Sequence, residues 1–321
     1  MKIKTGIIGG AGYTAGELLR ILINHPEVEI VFVQSSSNAG KRIADVHGGL
    51  AGETDLIFTD YQTGIDALFL CSAHGDSRKF LESNKIPSKT KIIDLSTDYR
   101  HKATAEGFVY GLPELNKSAI QKADRIANPG CFATAIQLAL LPLAAAGKIK
   151  AEVNVHAITG STGAGVKPAA TTHFSWRDNN LSVYKPFEHQ HLKEILESLV
   201  QLQPSLNNPV NFIPVRGDFP RGIFASAFTD CDLSLDEAND LYKDFYKDAA
   251  FTFVVDFNPD LKQVVNTNKC LLHLEKFGNK LLIVSVIDNL LKGASGQAVQ
   301  NFNHIFGLDE KTGLRLKASG F

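Results

Sequence analysis

Apolar residues along this chain come in short unbroken runs, set apart by glycine- and serine-rich turns and by amphipathic stretches. Residues 3–9 are apolar or small and barely alternate, which predicts a first strand buried on both faces, as in a parallel sheet. An amphipathic helix is predicted over about residues 14–24, and a second strand over Val28 to Val33. Ala67 to Cys71 and Lys91 to Ser96 read as further buried strands, each leading into a polar turn. The first part of the chain is therefore expected to be a doubly wound α/β unit of the Rossmann type. Past Cys131 an apolar run from Ala135 to Ala146 predicts a buried helix, and Glu152 to Ile158 alternates like a half-buried strand. The character there becomes α+β, as for a second domain. Gly293-Ala294-Ser295-Gly296 followed by residues 297–306 reads as a glycine-rich helix start.

Bulk properties narrow the partners. At 321 residues the chain can hold two domains, each with a core. A hydrophobic share of 44%, a charged share of 21% and a formal net charge of -1 describe a globular protein without the basic excess that nucleic acid requires. No run approaches the roughly 18 apolar residues needed to span a bilayer, and the start Met1-Lys2-Ile3-Lys4 lacks the apolar core of a signal peptide. Cys71, Cys131, Cys231 and Cys270 lie far apart, with no Cys-x-x-Cys pair. A cytoplasmic protein without structural zinc or disulfides is expected, with no membrane and no nucleic-acid partner.

After the first strand the chain runs Gly9-Gly10-Ala11-Gly12-Tyr13-Thr14-Ala15. Gly10, Gly12 and Ala15 fit G-x-G-x-x-G/A between a strand and a helix, where glycine lets backbone N–H groups approach a pyrophosphate. Gly9, Tyr13 and Thr14 join them as cofactor-binding candidates. The second strand ends in Gln34-Ser35-Ser36-Ser37-Asn38-Ala39-Gly40-Lys41-Arg42 rather than in a carboxylate. Ser35, Ser36, Ser37 and Lys41 suit a 2′-phosphate, which favours NADP over NAD; a solvated serine-rich loop is the competing reading. Ala73, His74 and Arg100 follow later strands and should line the carboxyl edge of the sheet, although His74 fits a helix cap equally well. Cys71 is expected to be inert core.

Asn128-Pro129-Gly130-Cys131 places a thiol at the start of the apolar helix, where unpaired N–H groups and the helix dipole favour a thiolate. An ordinary buried cysteine is the alternative. Thr159-Gly160-Ser161-Thr162-Gly163-Ala164-Gly165-Val166-Lys167 resembles an anion cradle of backbone N–H groups, or else a flexible turn. Ser161 and Gly163 are assigned to the cofactor, and Lys167 to phosphate. In Tyr184-Lys185-Pro186-Phe187-Glu188-His189-Gln190-His191-Leu192-Lys193-Glu194, two histidines at i, i+2 have no third ligand of metal spacing. One histidine instead suits the acid/base partner of Cys131. Glu194 would orient His191 at i+3 if a helix begins there, which favours His191 over His189. Tyr184 is a substrate candidate.

Six ordered motifs carry a family resemblance: Gly9-Gly10-Ala11-Gly12-Tyr13-Thr14, Asp94-Leu95-Ser96-Thr97-Asp98-Tyr99-Arg100, Tyr110-Gly111-Leu112-Pro113-Glu114, Asn128-Pro129-Gly130-Cys131, His189-Gln190-His191 and Asp288 to Ala298. Over nearly its whole length the chain resembles the N-acetyl-gamma-glutamyl-phosphate reductases, relatives of the aspartate-semialdehyde dehydrogenases. The resemblance implies NADPH-dependent reductive dephosphorylation of an acyl phosphate through a Cys131 thioester, with Arg100 and Lys167 on phosphate and Arg221 on the substrate's alpha-carboxylate. It also implies that residues 1–130 and 292–321 form the NADP-binding domain around an inserted catalytic and dimerisation domain, 131–291. Asn289 and Gly293 would approach the nicotinamide, and the protein would be a homo-oligomer, dimer or tetramer.

Some positions depart from the pattern. Ser36-Ser37 stands where an arginine often accompanies the serine, and Phe132-Ala133 replaces a usual Tyr-Pro. The segment around Arg216 to Phe219 is unusual, and its additional arginine suggests an N-succinyl in place of an N-acetyl group. Aspartate-semialdehyde dehydrogenase chemistry is a rival that His189-Gln190-His191 and Tyr110-Gly111-Leu112-Pro113-Glu114 argue against. A non-catalytic NADP-binding regulator is a second rival, disfavoured by Cys131 beside a candidate base and several cations.

Overall fold

A computed structural model describes residues 1–320. They divide into two compact units, Met1–Pro129 with Ala294–Arg315, and Gly130–Gly293 with the tail from Leu316. The tail groups with the second unit, where sequence places it with the first. Within the second unit Asn266 Nδ2 donates to Ser319 Oγ at 2.7 Å, which holds the tail there.

The first unit carries strands β1 (Ile3–Ile8), β2 (Val28–Gln34), β3 (Ala67–Leu70), β4 (Lys91–Asp94), β5 (Val109–Tyr110) and β6 (Arg125–Ala127). All pair in parallel, in the order β2-β1-β3-β4-β6-β5. Helices α1 (Tyr13–Leu22), α2 (Ile43–Val46), α3 (Asp76–Ser83) and α4 (Pro113–Ile120) lie between the strands. The chain turns outward from β1 to β2 and comes back to β3 on the other side, so the carboxyl end of β1 is a switch point where ligands bind in such sheets. The β3 run is fully buried, as its unbroken apolar sequence requires. Cys71 lies just past β3; desolvation pushes its thiol up, with Asp94 adding to the effect, so it is a poor nucleophile.

The second unit begins with α5 (Cys131–Ala145) and continues through β7 (Val153–Thr159), α6 (Phe174–Arg177), β8 (Ser182–Val183), α7 (His191–Leu202), β9 (Val210–Arg216), β10 (Ile223–Asp230), α8 (Leu235–Phe245), β11 (Thr252–Val254), β12 (Cys270–Phe277) and β13 (Lys280–Ile287). Its mixed sheet runs β11-β12-β13-β10-β7-β9-β8. A last helix, α9 (Gly296–Ile305), returns to the first unit and packs there against α4, α1 and β4. No helix among the described residues is long and apolar enough to cross a membrane.

Helix α5 is the core of the second unit, packed on the sheet and flanked by α7 and α8. Phe132 to Ala144 is buried without a break, which explains why its apolar residues run all round the helix instead of along one stripe. Pro142 sits inside it and lacks the N–H that would bond the Leu138 carbonyl four residues back. Tyr246 supplies the missing donor, its hydroxyl reaching Leu138 O at 2.6 Å, and Tyr242 donates to Ala139 O at 2.5 Å. Tyr246→Phe should therefore destabilise the protein by about 1–3 kcal/mol, because it leaves a buried carbonyl unbonded. A urea midpoint equal to that of the native protein would show that the carbonyl is satisfied some other way.

Candidate active site

The apolar run that forms α5 sets Cys131 at its first residue, with Gly130 as an N-cap that offers no side-chain bond to the first turn. The backbone there favours an anion at the thiol. Gly130 is required by what packs on it. A Cβ at that position would lie 2.4 Å from His191 Nε2 and 2.7 Å from Glu194 Oε1. Gly293 packs on Cys131 in the same way: its Cβ would come within 2.8 Å of Cys131 Cβ.

Helix α7 starts at His191, so His191 and Glu194 share a face at i, i+3, with His191 Nε2 3.8 Å from Glu194 Oε1. That separation suits a charge pair rather than a hydrogen bond. Glu194 Oε2 accepts the Gly130 N–H at 3.1 Å, which ties the first turn of α7 to the residue before the nucleophile. Both side chains are buried. His189 is buried too, and its Nδ1 accepts the His191 backbone N–H at 3.2 Å, so the neutral ring carries its proton on Nε2. Burial, with Lys185 and Arg216 adding to it, lowers His189 to about 4. It is neutral at pH 7 and can donate from Nε2 without bearing charge. The tight turn that delivers it holds Lys185 and Phe187 at φ 45° and 62°, strain of a kind that collects at functional sites.

Tyr184 meets His189 edge to face at 5.7 Å between ring centroids, and its hydroxyl is pushed up to about 12 by burial, the Cys131 thiol adding to it and Arg216 opposing it. Arg216 ends β9 and lies 4.6 Å over the Tyr184 ring. Arg177, which the sequence did not single out, holds this corner: it is buried, and it donates to Arg216 O at 2.8 Å and to Ser182 Oγ at 3.1 Å. Only the end of an apolar strand in a lone arginine signalled Arg216, and nothing local signalled Arg177.

Arg221 pairs with the fully buried Asp288, Nη2 to Oδ2 at 2.9 Å, while its own side chain keeps 17% exposure. The Thr159–Lys167 segment corrects an expectation. Its N–H groups do not form an anion cradle, because Gly160, Ser161 and Thr162 donate to the carbonyls of Gly222, Phe219 and Pro220, and Gly163 donates to Gly160 O. Asn289 likewise has its amide engaged, accepting the Gly222 N–H at 2.7 Å and donating to Thr162 Oγ1 at 3.0 Å. Ser161, Gly163 and Asn289 thus have structural tasks in the second unit, and Lys167 stands exposed.

The first unit holds the other candidates. Gly9 has φ 77°, and a Cβ there would strike the Cys71 backbone at 2.8 Å; at Gly10 it would meet Val33 at 2.3 Å. Gly12 is different, with nothing within 4 Å of its missing Cβ, at a helix start without a side-chain cap. Open ground beside the free N–H groups at Gly12, Tyr13 and Thr14 fits a pyrophosphate. His47, absent from the sequence reading, secures this turn by bonding Gly10 O at 2.7 Å. Ala15 is fully buried, as the close packing of α1 on the sheet requires. Beyond β2, Asn38 Nδ2 donates to Ser35 Oγ at 3.3 Å and Ser37 Oγ at 3.0 Å, and Lys41 Nζ donates to Asn38 Oδ1 at 3.2 Å, with Ser36 exposed beside them. Hydroxyls, an amide and a cation without a carboxylate fit a 2′-phosphate. Ala73 and His74 are exposed past β3, and His74 accepts the Thr97 N–H at 3.2 Å rather than capping α3, whose N-cap is Gly75. Arg100 is buried, with Nε on Asn128 O and Nη2 on Leu95 O, both at 2.8 Å; those two donors hold the backbone of its own unit.

Comparison with known proteins adds to this geometry. Residues 4–123 match the family described as semialdehyde dehydrogenase, NAD binding domain, and residues 131–289 match semialdehyde dehydrogenase, dimerisation domain. An N-acetyl-gamma-glutamyl-phosphate reductase of Azobacteroides pseudotrichonymphae is 66% identical over 321 residues, 99% of this chain and 100% of the relative. Proteins of the same name from Bacteroides thetaiotaomicron and Flavobacterium johnsoniae are 63% and 57% identical, with the same coverage. Among solved structures, aspartate semialdehyde dehydrogenase II of Vibrio cholerae, complexed with ASA, shares the fold at TM-score 0.74 and 17% identity over 96% of this chain and 99% of that one. Aspartate semialdehyde dehydrogenase with NADP from Candida albicans does so at TM-score 0.71 and 14% identity, covering 96% and 99%.

Gly130→Ala should leave a folded protein in which His191 and Glu194 are pushed off the nucleophile. Alkylation of Cys131 by iodoacetamide at pH 7 is expected to slow by about tenfold. A native alkylation rate would show that the pair does not act on the thiol.

Proposed function

The chain belongs to the N-acetyl-gamma-glutamyl-phosphate reductases, within the semialdehyde dehydrogenases, and we propose that it reduces N-acetyl-gamma-glutamyl phosphate to the semialdehyde and phosphate, a step of arginine biosynthesis. The observation that carries the mechanism is Cys131 at the uncapped start of a buried helix, with His191 and Glu194 packed on the residue before it. The Cys131 thiolate attacks the gamma-acyl carbon and phosphate leaves with the electrons of the C–O bond, which makes a thioester. The glycine turn of the first unit and the Ser35 to Lys41 segment would hold NADPH, which would supply a hydride when bound. His191 donates a proton to the oxygen that becomes anionic on reduction and takes it back as the carbon–sulfur bond breaks to give the aldehyde. Glu194 keeps His191 oriented. The neutral His189 and Tyr184 are further candidate donors to the same oxygen or to the acyl chain.

Three cations answer the anionic groups of the substrate. Arg221 is assigned to the alpha-carboxylate, and Arg100 and Lys167 to phosphate. The match of residues 131–289 to a dimerisation domain supports a homo-oligomer.

An N-succinyl substrate is a second reading, favoured by Arg216. Its Nε is buried without a hydrogen-bond partner in the corner of Tyr184 and His189, and a free carboxylate on the acyl group would satisfy it.

The test is phosphate-dependent NADP reduction with N-acetyl- and N-succinyl-glutamate semialdehyde. Cys131→Ser should lower kcat on the order of 1,000-fold while NADP still binds; a variant as active as the native enzyme would remove Cys131 from the chemistry. If succinyl is the true group, Arg216→Leu should lower kcat/KM for that substrate by roughly 10–100-fold and leave the acetyl substrate nearly unchanged. A native enzyme that prefers acetyl would dispose of the second reading.

A further inference from the structure

Arg221 does not find its place by itself, and the group that holds it has no role in the mechanism above. Asp288 is fully buried, yet each carboxylate oxygen accepts two donors. Oδ2 accepts Arg221 Nη2 at 2.9 Å and the Asn266 N–H at 2.8 Å, and Oδ1 accepts the N–H groups of Leu290 at 2.8 Å and Leu291 at 3.1 Å. Its backbone carbonyl accepts the Gly293 N–H at 2.9 Å, and Gly293 is the residue that packs on Cys131 Cβ. The next residue, Asn289, clamps Gly222, the neighbour of Arg221. One residue therefore fixes both the cation and the turn that abuts the nucleophile. A buried carboxylate with four donors is a rigid mount, because any shift leaves a charge or an N–H unpaired in a dry interior.

We infer that Asp288 is a positioning residue that aims Arg221 at the substrate anion in fixed register with Cys131. Arg221 forms its pair through Nη2 and its side chain stays 17% exposed, so it meets a carboxylate already oriented, without first ordering a flexible side chain. Asp288 cannot be replaced by its amide at no loss, since all four of its partners donate and an asparagine would turn an N–H toward at least one of them. The inference rests on the reading that Arg221 binds an anionic group of the substrate.

The test has one arm that needs substrate and one that does not. In Asp288→Asn, modification of Arg221 by phenylglyoxal, followed by peptide mass spectrometry, should be at least about fivefold faster than in the native protein, because the guanidinium has lost its carboxylate partner. In turnover, KM for the semialdehyde should rise about 10–30-fold with kcat changed less than about threefold, and the KM effect should vanish when Asp288→Asn is made in an Arg221→Gln background. Asp288→Glu keeps the charge, is expected to fold, and should raise KM by displacing Arg221, which serves if the asparagine variant fails to fold. An unchanged phenylglyoxal rate, an unchanged KM in either variant, or full additivity in the double variant would overturn the inference. If the native enzyme turns over neither semialdehyde but Arg221 is still unmasked, the proposed function fails and the mounting of Arg221 by Asp288 stands.

Discussion

The chain packs tightly on itself around Cys131, and the neighbouring elements of the second unit share that constraint. Gly130 and Gly293 bracket the thiol with no side chains of their own, and the space each leaves is filled by His191 and Glu194 on one side and by Cys131 itself on the other. At sub-3 Å clearance a single methyl group at either glycine displaces a functional atom. This explains why α5 is apolar on every face: a helix whose first residue must be held to a few tenths of an ångström is anchored by burial along its whole length. The proline in that helix would weaken the anchor, and two tyrosines from α8 and its end repair it.

Charge in the second unit follows a second constraint. Cations near the nucleophile are useful to an anionic substrate, but unbalanced they would be costly to bury. Arg221 is balanced by Asp288, and Arg177 by a set of backbone carbonyls and Ser182. Arg216 leans on the face of the Tyr184 ring, a weaker partner, which leaves its charge more available. The lowered His189 belongs to the same field, since burial and its two cationic neighbours together keep it neutral.

Where the sequence located a feature that the fold keeps, the relevant physics was local. The glycine turn after β1, the serine-rich end of β2 and the cysteine at the start of an apolar run each depend on residues within a dozen positions. The register of α7 was also readable, because Glu194 at i+3 means something only if the helix begins at His191, as it does. The Gly160 to Gly165 segment went the other way. Its composition suits an anion cradle, yet its N–H groups are bonded to Phe219, Pro220 and Gly222, some 60 residues further on. Nothing local distinguishes a free N–H from one that a distant strand will take. Long separations in sequence also hid His47 from Gly10, Arg177 from Arg216 and Asp288 from Arg221.

By itself, then, the sequence determined the class of the elements it read, the glycine turn between β1 and α1, the cysteine at the start of α5 and the family to which the chain belongs, because these rest on short-range periodicity and on side-chain chemistry in contiguous motifs. Only the tertiary structure decided which donors are already engaged, which glycines are required by contact and which charges are mounted. Those properties depend on pairings between residues far apart in the chain, from Gly10 with His47 to Cys131 with Gly293, whose register is set by sheet order and core packing and leaves no trace in any local window.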